Sequence, residues 1–277
     1  LFFLPRFSTK LITPKAEIDK KLYFYTGIFS FIFVFLVWAA AAVIKNDVSF
    51  IPTPAKVLSI GLNMLTRGEL AEHAAYSIMR VAGGFLLASI IAVPLGILMG
   101  TLKIAEAFFE PIIGFIRYMP ASAFIPLFIL WFGLGESEKI AVIFFGTFFQ
   151  QTLMVMDVTK NVPVDLIDVS YTLGASRKAV FRKVILPASL PGIVDTLRIT
   201  FGWAWTYLVV AEIVGASEGL GYLIMQASRF LRTDKIFVGI LVIGLLGIIS
   251  DYLFKVLYRA LFPYLRSQGG TSTNDKE

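Results

Sequence analysis

A few side chains in this sequence have the type and the setting to handle charge inside an apolar environment. Arg80, Arg117, Arg198 and Glu212 stand within or beside long apolar runs, with Gln150, Gln151, Trp203, Trp205 and Tyr207 in the same runs. A guanidinium at the centre of a bilayer costs at least about 2.5 kcal/mol on insertion scales, so it is kept for an acidic partner or for an anion that passes. The chemistry this suggests is recognition of negative charge, not bond making. No cysteine is present, which excludes thiolate catalysis, disulfides and Cys-ligated metal. The single histidine, His73, stands in a polar stretch outside the apolar runs and is expected at the surface, so no metal site is expected. The usual nucleophile and base sets are missing, and no catalytic residue is assigned. No G-x-x-x-x-G-K-[ST] phosphate loop occurs, since "GASRKAV" is too short and lacks the second glycine. Any ATP chemistry must belong to another chain.

The elements that position these residues are membrane helices. The chain has 277 residues, of which 57% are hydrophobic and 16% charged, and its mean hydropathy is +0.78. The apolar residues come in runs near the roughly 20 residues that span a bilayer, which predicts an all-α polytopic protein. About six spans are expected: 22–44, 77–101, 105–131, 140–158, 190–214 and 236–261. They form one transmembrane domain over 22–262, between an N-terminal tail, 1–21, and a polar tail, 263–277. The third span is irregular, with Pro111, Gly114, Arg117, Pro120 and Pro126. Interior prolines remove backbone bonds, and broken helices at membrane depth line cavities or pack inside protein. The first run is too long for a signal-peptide core, so a retained anchor is expected.

The formal net charge of +6 is read as cytoplasmic loops facing anionic membrane lipid, not nucleic acid. With the N-terminus inside, Lys and Arg favour the inner segments about two to one, so both termini are expected in the cytoplasm. That places segment 161–187 on the cytoplasmic face. It reads as two short helices, the first with Pro163 in its opening turn and Asn161 as a possible cap. Leu166, Val169 and Leu173 form its apolar stripe, and Gly174 stops it. Ser176 caps the second helix, which sets Phe181, Val184 and Ile185 on one face among Arg177, Lys178, Arg182 and Lys183, and which Pro187 ends. Two uses are open: an interfacial helix on anionic headgroups, or a knob that docks a soluble partner.

This segment resembles the cytoplasmic signature of ABC importer permeases. The signature's acidic-Ala-Ala triplet falls on Asp168, Val169 and Ser170, its glycine on Gly174, and its ending on Val184, Ile185, Leu186 and Pro187. "FIPTPAKVL", "GFLLASIIAVPLGILMG", "PLFILWFGLGESEKI" and "LRITFGWAWTYLVVAEIVGASEGLGYLI" follow the order typical of the nitrate, sulfonate/taurine and bicarbonate permease group. The resemblance implies a non-catalytic permease of the bacterial plasma (inner) membrane, acting as a homodimer with a second copy. It implies separate ATPase subunits that bind ATP and Mg, and a substrate-binding protein outside. Asp168, Leu173, Gly174, Ala175, Ser176, Leu186 and Pro187 would then couple to the ATPase. Arg80, Arg117, Pro120, Gln150, Arg198 and Trp205 are the residues expected along the path of a small oxyanion. Outer segment 217–234 is expected to help contact the binding protein.

Some alternatives remain at this stage. An ion-coupled secondary transporter would need no soluble partner, which leaves the glycine-broken segment unexplained; a membrane-embedded enzyme lacks its usual residues. For Arg80, structural and path roles stand equal. Arg198 shows no evident partner in its own helix, and a structural pair with Glu110 is expected ahead of a role with the anion.

Overall fold

A computed structural model of the protein describes residues 19–45 and 50–265. Most of the two tails therefore lies outside the described residues, including Arg6, Lys10 and Lys15. The described residues are helical, with no strand. The order is α1 (Lys20–Lys45), α2 (Pro54–Thr66), α3 (Glu69–Thr101), α4 (Lys103–Ile116), a single turn at Ala121–Phe124, α5 (Ile125–Phe132), α6 (Glu136–Lys160) and α7 (Val164–Thr172). The chain continues as α8 (Arg177–Val180), a π turn at Phe181–Ile185, α9 (Leu186–Ile213), α10 (Leu220–Arg229) and α11 (Thr233–Leu261). Helices α1, α3, α6, α11 and the run Arg177–Ile213 are each long and apolar enough to cross a membrane, and α4 with the 121–132 segment makes a sixth span if that bent pair counts as one.

The seam between α3 and α6 is built from small residues. Gly84, Ala88, Ala92, Gly96 and Gly100 recur every fourth position of α3 and so share one face. A Cβ on Gly96 would lie 2.7 Å from the Thr152 carbonyl oxygen, and one on Gly100 would lie 2.6 Å from that of Met156. The two backbones approach that closely because nothing stands between them, which is how helices gain packing where no hydrophobic force separates lipid from protein. Helix α9 closes the core through Ala204, Trp205 and Leu208 against Val81, Phe85 and Ile143. A second core joins α2, α10 and α11 through Val57, Leu220, Leu223 and Val238. Helix α1 leans on this second core near Trp38, which stacks on Phe237 and donates to the Pro52 carbonyl at 3.1 Å. Ala42 is buried one turn further on, while the apolar surface from Leu22 to Val37 is exposed.

The third span is two helices that meet at 81°, not one irregular rod. The break runs from Arg117, the last cap of α4, to Pro120, which is extended at φ −65° and ψ 123°. The segment after α6 also differs from expectation. Asn161 caps the C-terminus of α6, and Pro163 is the N-cap of α7 instead of its first helical residue. Gly174 has φ +81°, and Ser176 accepts from the Ala179 N–H at 3.3 Å, as the sequence suggests. Pro187, however, ends nothing. The helix runs on from Arg177 to Ile213, because the Leu186 N–H reaches back to Phe181 through the wide π turn. That turn opens the ladder where proline has no N–H to give.

Candidate functional site

Arg117 is presented by the break itself. Its guanidinium donates to the Tyr118 hydroxyl at 2.9 Å and lies 4.8 Å from the centre of that ring. Among the described residues it has no carboxylate within 4.0 Å. Beside it is a cavity of about 370 Å³, lined by Arg117 and Met119 from the break, Phe145, Phe149 and Gln150 from α6, and Trp203, Thr206 and Tyr207 from α9. Phe145 and Phe149 fall one turn apart on α6, as do Gly146 and Gln150, so this face supplies aromatic wall and amide together. Gly146 lets α9 close in, since a Cβ there would meet the Tyr207 ring at 2.5 Å. No carboxylate, histidine or lysine lines the cavity. One cation, an amide, hydroxyls and flat apolar walls suit an anion with a small organic body. They offer no base and no activated nucleophile.

The other path residues expected from sequence lie elsewhere. Pro120 shapes the break between the lining residues Met119 and Ala121. Trp205 is 5% exposed and packs in the α3–α6–α9 core; two residues, or about 200° around α9, separate the cavity face of Trp203 from the core face of Trp205. Arg198 does not line the cavity. It pairs with Asp195 in its own helix at 3.5 Å and with Asp251 of α11 at 3.7 Å, so the Glu110 pair is not formed. The nearby acid of α4, Glu106, is held by Lys103 and Lys160 instead.

Arg80 lies in the cluster that fixes the other end of the bundle. It is 1% exposed. Its Nε and Nη2 donate to Glu136, each at 2.6 Å, and its Nη1 donates to Glu212 at 2.7 Å and to the Glu218 carbonyl at 2.6 Å. The two-pronged contact to Glu136 is the geometry in which arginine binds a carboxylate most strongly. His73, Ser77 and Arg80 share one face of α3, and that face grips the start of α10. The N–H groups of Gly219, Leu220 and Gly221 donate in turn to His73 Nδ1 at 3.1 Å, Ser77 Oγ at 2.9 Å and Glu212 Oε2 at 2.7 Å. A helix start leaves its first N–H groups without internal partners, and here α3 and α9 supply them. His73 is therefore half-buried and bonded, not a free surface residue. Sequence reasoning missed this because the bond goes to a backbone group. The i, i+4, i+7 spacing of His73, Ser77 and Arg80 was the available signal.

Along α7, Leu166, Val169 and Leu173 are 49%, 58% and 83% exposed. This apolar stripe finds no partner within the described chain, and Gly174 projects beside it with open space around its Cα.

Residues 92–263 match the family described as binding-protein-dependent transport system inner membrane component. The taurine transport system permease protein of Escherichia coli (strain K12) is 34% identical over 232 residues, covering 82% of this chain and 84% of the relative. A Bacillus subtilis (strain 168) permease provisionally named for aliphatic sulfonates transport is 38% identical over 220 residues, covering 79% and 80%. In fold, the chain is similar to an inward-facing form of the MetNI methionine ABC transporter, with TM-score 0.56 and 21% identity over 66% of this chain and 94% of the other.

Proposed function

The chain belongs to the family of binding-protein-dependent transport system inner membrane components, a multi-pass ABC importer permease, and from that premise we propose that it carries a small organic oxyanion of the alkanesulfonate type. The observation that carries this reading is the cavity at the broken span. Arg117 supplies the positive charge with no carboxylate to neutralise it, and Gln150, Thr206 and Tyr207 supply polar groups. Phe145, Phe149 and Trp203 supply apolar walls, which bare nitrate or bicarbonate would leave unused. Relatives named for taurine and for aliphatic sulfonates support the same choice. In this reading Arg80, Arg198 and Trp205 hold the scaffold and do not touch the solute.

The permease pairs with a second copy, receives solute from a substrate-binding protein and takes its drive from separate ATPase subunits that hold ATP and Mg. Segment 161–187 is the coupling element. Leu173, Gly174, Ala175 and Ser176 form the tip that enters the ATPase surface, with Asp168 on α7, while Leu186 and Pro187 root it in α9. The exposed stripe of Leu166, Val169 and Leu173 supports this role. Both termini and this segment face the cytoplasm.

The test is uptake by the reconstituted complex across ethanesulfonate, taurine, nitrate and bicarbonate, with and without ATP. Sulfonate uptake that needs ATP and the binding protein is the expected result. Transport of nitrate or bicarbonate with no response to sulfonates would replace the substrate assignment, and uptake driven by an ion gradient without ATP would replace the mechanism by ion coupling.

A further inference from the structure

At the α7 end of the bundle, α3 and the run from α8 into α9 diverge and leave a groove of about 760 Å³. One wall is Pro94, Ile97, Leu98 and Thr101 of α3, about 10 Å of helix at 1.5 Å per residue. Phe181, Ile185 and Leu186 face it, and Ile167 and Tyr171 of α7 close its end. No acidic residue lines it; the charged residues that do are Arg177 and Lys178. Arg182 and Lys183 follow in the next turn. None of these four cations has a carboxylate within 4.0 Å among the described residues. By contrast, Lys160 is braced by Glu106 and Lys255 by Asp251. An apolar slot whose mouth carries unneutralised cations, at the end of membrane-spanning helices, complements a molecule with an anionic head and an apolar tail.

We propose that this groove is a site for an anionic phospholipid, its acyl chain along α3 and its phosphate on Arg177 and Lys178. The two faces of α7 keep this site apart from the coupling stripe. Ile167 and Tyr171 turn to the groove, while Leu166, Val169 and Leu173 turn outward. The lipid thereby braces the coupling element against α3 from the membrane side. The inference needs only that the chain spans a membrane, and stands whichever solute it carries.

Absence of cysteine makes the test clean. The full chain carrying Thr101→Cys, labelled with bimane and placed in nanodiscs, reports on lipid in the groove by quenching from brominated acyl chains. Brominated phosphatidylglycerol should quench at a much lower mole fraction than brominated phosphatidylcholine. Each basic residue near an anionic surface adds about 1 kcal/mol, so R177Q/K178Q should reduce that preference roughly thirtyfold. Both side chains are exposed, so the variant keeps its fold. Arg229→Gln, at the far end, should change nothing. Leu98→Trp, which fills the slot, should weaken quenching by both lipids. Equal quenching by the two lipids in the otherwise native chain overturns the proposal, as does an undiminished preference in R177Q/K178Q.

Discussion

Arg117 and Arg80 are the same residue type in similarly apolar sequence, and the structure gives them opposite surroundings. Arg80 meets two carboxylates and a carbonyl in a site that is 1% exposed. Removing one member of a buried ion pair leaves a stranded charge and costs about 3–5 kcal/mol. Arg80→Met should therefore lower the thermal midpoint sharply in detergent. Arg198→Met should lower it far less, since its side chain is 30% exposed and its acids lie at 3.5 and 3.7 Å; such pairs contribute about 1 kcal/mol or less. A larger loss from Arg198 than from Arg80 would refute this ranking. Arg117 has no carboxylate to strand, so Arg117→Gln should leave stability unchanged. A hydrogen bond to a charged group is worth about 1.5–3 kcal/mol, so KM for sulfonate uptake should rise about tenfold or more in that variant; an unchanged KM would remove Arg117 from the path. That these arginines mattered was legible in the sequence. Their sorting was not, because Glu136 and Glu212 reach Arg80 across 56 and 132 residues. The Asp195 partner of Arg198 was overlooked in favour of Glu110, although its i, i+3 spacing in the same helix was available.

Among the elements, the contact between α3 and α6 depends most on the absence of side chains. Gly96→Leu places a Cβ 2.7 Å from both the Thr152 carbonyl oxygen and Val155 Cβ, so one helix must move. Overpacking of this kind costs about 1–3 kcal/mol or more. The variant should elute as aggregate on size exclusion, while Gly202→Leu, whose Cβ meets nothing within 4 Å, should elute as the parent does. Gly174→Leu is a different case. Space around it is open, and its φ of +81° costs a non-glycine residue about 1–2 kcal/mol. The permease should still insert and assemble, yet ATPase stimulation and uptake should fall together. Normal stimulation would argue against the coupling role. The membrane-spanning helices were legible as long apolar runs, and the Gly174 and Ser176 caps as local chemistry, whereas the short helices α2 and α10 between spans were not read. The 81° bend was announced by three prolines and a glycine but not located, since prolines at Pro94 and Pro191 sit inside helices that continue.

At the scale of the molecule, the two ends of the bundle differ in how they are held. The α10 end is tied by the Arg80 cluster and by three consecutive backbone N–H groups given to side chains of α3 and α9. At the α7 end, Arg177, Lys178, Arg182 and Lys183 have no carboxylate within 4.0 Å among the described residues, and Leu166, Val169 and Leu173 are exposed. Under the proposed coupling, the open end is the one a partner would act on. The orientation proposed from loop charge can be tested at the same two ends. Cysteines at Arg177 and at Ser217 should react with a membrane-impermeant maleimide from opposite sides, the first only from the cytoplasm. Labelling of the 177 position from outside would reverse the orientation argued from loop charge.

The π turn at Phe181–Ile185 also fixes how the proposed coupling segment tolerates changes of length. A π turn holds one residue more than the α-helical ladder on either side, and each helical residue advances the chain by about 100°. Deleting a single residue such as Val184 would restore a regular ladder and leave α9 seated in its core. Because the π turn has already absorbed that residue within about one turn of rotation, the segment before it would keep nearly the same phase, and Arg177, Lys178 and Gly174 would stay close to their places. Deleting Val184 should therefore be forgiven more readily than deleting Ile193 from the regular run of α9, where nothing absorbs the step of about 100°, and the Val184 deletion should appear as a folded permease whose uptake still responds to ATP.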